Sequence, residues 1–93
     1  MKELPDNLEH LGFVIANDHE EYVHNWKRQF GLCLIGWIPG PVFAHIFDDR
    51  QRASNIIKMF DYHSKLWILD LFHSDDQLIV STHPRNRPPW LPV

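Results

Sequence analysis

Residues 65–73 read Lys-Leu-Trp-Ile-Leu-Asp-Leu-Phe-His, the longest run of strand-forming residues in the chain, with apolar side chains on both alternating faces. Such a strand must be covered on two sides or lie inside a sheet, because each large apolar side chain left in water forgoes roughly 1.5–3 kcal/mol of burial. The rest of the chain has to supply that cover. With 93 residues there is length for one core and not for two. The expected organisation is one α+β domain over residues 1–83, followed by an extended, proline-rich tail over 84–93.

Hydrophobic periodicity sets the expected order of elements. Residues 12–16, Gly-Phe-Val-Ile-Ala, are rich in strand formers. Tyr22, Val23, Trp26 and Phe30 then recur at a spacing that predicts one face of a helix. Asp18 stands at its N-cap and Gly31 at its end. Residues 32–38 are apolar throughout and predict a second strand, closed by Pro39-Gly40-Pro41. Residues 42–47 alternate as a third strand. Asp48 and Asp49 precede Ala53, Ile56, Ile57 and Phe60, the stripe of a second helix whose unpaired N-terminal N–H groups the carboxylates would cap. Strands over 66–73 and 78–82 follow, joined as a hairpin.

Taken together this is β-α-β-β-α-β-β, the order of a ferredoxin-like sandwich with an extra C-terminal antiparallel strand. Both helices would cover one face of the sheet and leave the other open.

Composition removes several classes of function. No apolar run approaches the roughly 20 residues that a membrane helix needs, and the N-terminus turns acidic where an export signal would turn apolar, so a cytoplasmic protein is expected. A net charge of −3, with both signs interleaved, does not provide the basic footprint on which nucleic-acid affinity rests. The aromatic residues Phe13, Phe43 and Phe47 invite comparison with base-stacking sheets, but Pro41 stands where such a sheet would place an aromatic. Cys33 has apolar neighbours and no partner for an intramolecular disulfide, so it is expected to be buried.

The seven histidines raise the question of a metal. None shares a His-x-His or His-x-x-x-His spacing, by which one element presents two ligands, so neither metal nor cofactor is expected. Asp70 interrupts an apolar strand and must be solvated, paired, or held neutral by a raised pKa. With His45 or His83 on the same face it would form an acid/base pair. Trp37, Phe43 and Phe47 are expected on or beside the open face, and Trp90 either on the body or on a partner.

The expected function is a small non-enzymatic interaction or regulatory domain that binds a protein partner, or itself as a homodimer, through an aromatic sheet face. The alternative is a small-molecule-binding protein or simple acid/base enzyme, with His45, Asp70 and His83 around an apolar pocket at a dimer interface.

Overall fold

The computed structural model describes residues 8–60, 65–82 and 87–91. Five strands, β1 (Glu9–Asn17), β2 (Tyr22–Gln29), β3 (Leu32–Ile38), β4 (Leu66–Ser74) and β5 (Gln77–Ser81), form one antiparallel sheet in the order β3-β2-β1-β4-β5. Among the described residues a single helix, α1 (Arg50–Met59), and a 3₁₀ turn at Pro41–Phe43 lie between β3 and β4. The sheet curls into a half-barrel, with the 3₁₀ turn packed against β5. The two-helix ferredoxin-like sandwich expected from periodicity is therefore wrong. One of its helices is a strand, and one of its strands is a turn followed by a linking segment.

The predicted first helix is β2, and two local causes explain the change. Asn17 is fully buried, and its Oδ1 accepts from the backbone N–H groups of His19 and Glu21, while its Nδ2 donates to Glu21 Oε1. These bonds tie residues 17–21 into a tight turn in which Glu20 takes a φ of 60°, so Asp18 has no helix to cap. The register of β2 on β3 then shifts between Val23 and Asn25. The extra residue, His24, places Val23 and Trp26 on the same face three positions apart, a spacing that imitates a helical turn. At the far end Phe30 and Gly31 both have positive φ, 53° and 74°, and close a two-residue hairpin loop where a helix stop was expected.

The predicted third strand fails because of Pro41 and Gly12. Pro41 opens the 3₁₀ turn, and the chain then passes between β1 and β2. These strands pair at Ala16 and Tyr22. Further along, the space between them holds residues 44–47. His45 N–H donates to Val23 C=O at 2.9 Å, and Phe47 and Phe13 exchange two backbone bonds of 2.8 Å. Such close approach requires Gly12, at φ 147°, because a Cβ there would lie 2.4 Å from Phe47 O.

The segment also changes sides. Ala44 belongs to the core on one face, with Val14, Leu69 and Leu71, and Phe47 to the core on the other, with Ile15, Val23 and Ala53.

Helix α1 forms as expected. Asp49 accepts from Arg52 N–H at 2.7 Å as N-cap, and the Ala53, Ile56, Ile57 and Phe60 stripe packs on the sheet. The opposite face is not open. Trp90 and Leu91 lie on it, and Trp90 Nε1–H donates to Asn17 C=O at 2.7 Å while its ring meets Tyr22 edge to face at 6.0 Å. Trp67, Ile68, Leu69 and Leu71 of β4 are thereby covered from both sides. Among the described residues no helix is long and apolar enough to cross a membrane.

Candidate functional site

The residues singled out in the sequence separate into different environments. Asp70, on the helix side of β4, lies with Oδ1 3.0 Å from His10 Nε2 and Oδ2 3.6 Å from Arg50. The Arg50 guanidinium sits over the Phe13 ring at 5.2 Å, and the His10 ring meets Phe13 and Phe72 edge to face. Arg50 is the first residue of α1, so this cluster pins the start of the helix to the sheet. Its side chains are partly solvated, and the pairing accounts for a carboxylate in an apolar strand without any chemistry.

His45 has other neighbours. Its ring stands edge-on to Trp26 at 4.8 Å and to Phe47 at 4.6 Å, and Trp26 stacks on Phe47 at 5.6 Å with 18° between planes. Trp26, His45, Phe47, Arg52, Asn55 and Ile56 line an open groove of about 380 Å³. His45 and Asp70 thus have separate partners, and these two are not brought together as an acid/base pair. His83 and His63 lie outside the described residues, as do 1–7 of the N-terminal arm and 84–86 of the tail. Among the described residues no group of three His, Cys, Asp or Glu side chains could hold a metal.

Of the expected aromatic face, Phe47 is buried, Trp37 is half-buried on the helix side, and Trp90 covers the sheet from its own chain. Phe43 is exposed on the 3₁₀ turn, its carbonyl held by His24 Nδ1. Cys33 is half-buried on the helix side of β3, less enclosed than its neighbours suggested.

The most exposed large apolar side chain among the described residues was missed by periodicity. Phe30, at the tip of the β2–β3 hairpin, is 92% exposed, and Leu32 and Leu34 on β3 are 59% and 49% exposed. The hairpin is anchored at its base, where Tyr22 pairs with Ala16 and Val23 receives His45. Outward from Trp26 it forms an arm on which Lys27, Arg28, Phe30, Leu32 and Leu34 are exposed. Leu32 and Leu34 lie on the face of β3 opposite Cys33 and Ile35, which pack toward the helix side. The usable signal was Phe30-Gly31 itself, a two-residue loop between strands. Its first position usually carries Asn, Asp or Gly, and a phenylalanine there does not announce a turn.

Comparison with protein families, with curated proteins and with solved structures finds no match for this chain.

Proposed function

We propose that the protein is an interaction domain whose contact surface is the β2–β3 arm, with Phe30, Leu32 and Leu34 as its apolar anchors. The observation that carries this reading is Phe30. Its left-handed backbone costs a non-glycine residue roughly 1–2 kcal/mol, and at 92% exposure its ring recovers almost none of that by burial within the chain. A residue that costs the fold and gains nothing from it is accounted for by burial against another molecule. An aromatic side chain with 150–250 Å² to bury is the usual centre of such contacts.

Phe30→Asn tests the reading, since asparagine favours the same backbone conformation. Denaturation at protein concentrations too low for association should show the domain stabilised by about 0.5–1 kcal/mol. A less stable Phe30→Asn domain would mean that Phe30 serves the fold, and the reading would fall.

The groove beside His45 supports a weaker second reading, a site for a small aromatic ligand. Its favouring observation is the Trp26–Phe47 stack forming an apolar wall beside the Arg52 guanidinium. Asp48 and Asp49 already engage that guanidinium at 3.4 and 3.8 Å.

A further inference from the structure

Strand β3 is an edge of the sheet over seven residues, Leu32-Cys33-Leu34-Ile35-Gly36-Trp37-Ile38, which contain neither charge nor proline. Natural edges are blunted with lysine, proline or covering segments, because an apolar edge is a template for another strand. The other edge, β5, is shorter and has the 3₁₀ turn packed against it. Lys27 and Arg28, paired with Leu34 and Cys33, belong to β2 behind it.

We infer that β3 pairs antiparallel with β3 of a second copy about a two-fold axis at Ile35, joining two sheets into one. This rests on the arm reading and names the partner. The backbone selects the centre. Gln29 and Leu32 close the two-residue loop as a hydrogen-bonded pair, so Leu32, Leu34 and Gly36 direct their amides and carbonyls to β2. Cys33 and Ile35 direct theirs outward. An axis at Ile35 therefore sets Ile35 against its own copy as a hydrogen-bonded pair, with Cα atoms about 5.5 Å apart.

Side chains fit the same register. Leu34 meets Gly36 of the second copy and Trp37 meets Cys33, each a large group against a small one, while Leu32 meets Ile38. Phe30 precedes Ile35 by as many residues as Gly40 follows it, so each hairpin tip reaches the Pro39–Gly40 corner of the other copy. Beside that corner Val42 and Phe43 are 69% and 72% exposed. One symmetric contact thus takes up Phe30, Leu32, Leu34, Val42 and Phe43 together, and a two-fold contact of this kind closes on itself without leaving a new edge.

Four chains test it by sedimentation equilibrium and by oxidation. At about 100 μM, enough to populate a complex with micromolar Kd, the wild-type chain should sediment at twice its monomer mass. Leu34→Lys, which places a charge on a side chain 49% exposed in the monomer, should weaken association at least tenfold. In a Cys33→Ser background, Ile35→Cys should cross-link between copies on oxidation, at a Cα separation a disulfide accepts, and Leu32→Cys should not. A wild-type monomer at that concentration overturns the inference, as does a dimer that ignores Leu34→Lys or cross-links at position 32 instead of 35. Phe30→Asn separates the two levels. A stabilised Phe30→Asn domain beside a monomeric wild type would leave the arm as a surface for a different protein, whereas a destabilised one would remove the arm reading itself.

Discussion

Adding one methyl group at Gly12 should damage this fold more than truncating most of its surface would. The Cβ of Gly12→Ala would lie 2.4 Å from Phe47 O and 2.7 Å from Ile46 Cγ2, far inside van der Waals contact, and at φ 147° the backbone itself disfavours any side chain. Strain of that kind costs about 1–3 kcal/mol. Relief requires residues 46–47 to withdraw, which breaks the two 2.8 Å bonds between Phe13 and Phe47 at about 1 kcal/mol each. The total, about 3–5 kcal/mol, is a large part of the 5–15 kcal/mol that holds a small domain together. Urea denaturation followed by tryptophan fluorescence measures it, and Trp26, stacked on Phe47, reports on the same site. A Gly12→Ala protein within about 1 kcal/mol of wild type would refute the claim that residues 44–47 are wedged between β1 and β2, since an unfilled seam would accept a methyl group at the small costs typical of surface changes.

Two further outcomes follow from the covered face. Trp90→Phe keeps a ring against Tyr22 but loses the bond to Asn17 C=O, and should cost about 1 kcal/mol in urea denaturation; Trp90→Ala should cost about 3 kcal/mol, and an effect near zero for both would show that the tail does not hold this face. Burial, reinforced by the Glu20 carboxylate, pushes the Tyr22 phenol up from 10.0 to about 12. The folded chain therefore keeps that proton longer than the unfolded chain does, so its stabilising contribution is intact below about pH 10 and is lost as pH rises toward 12. Stability measured across that interval should fall less steeply in Tyr22→Phe than in wild type.

What could be read from the sequence depended on how far each element's partners lie along the chain. β3, β4, β5 and α1 were legible because their cues are local: unbroken apolar runs, a tight turn between β4 and β5, and Asp49 ahead of an Ala53-Ile56-Ile57-Phe60 stripe. β2 was not, because one inserted residue, His24, converts a two-residue period into a three-residue step, and because Asn17, not Asp18, organises the turn before it. Residues 42–47 alternate like a strand, but their hydrogen bonds go to Val23 and Phe13, which nothing in their own pattern names. The candidate surface suffered from the same limit. Asp70 was read as a carboxylate that has to be solvated, paired or held neutral, and the groups beside it, His10 and Arg50, approach from elements whose packing periodicity could not supply. Phe43 was expected on or beside an open sheet face and is exposed instead on a 3₁₀ turn. Phe30 was read as the last apolar residue of a helix, and the same ring becomes the most solvated one once β2 is extended.

The strap at 44–47 has a consequence for how the chain finds its shape. β1 and β2 pair beside their shared turn, and beyond it Phe47, not β2, takes up the amide and carbonyl of Phe13. Two ladders therefore compete for one row of amides, and in the folded chain it is the segment entering from beyond β3 that holds them. Early zippering would lock the strap out and strand Ala44 and Phe47 away from their two cores. Speed in forming the first hairpin is thus a hazard to this molecule, and the kink at His24, which spoils the competing register, acts as its safeguard.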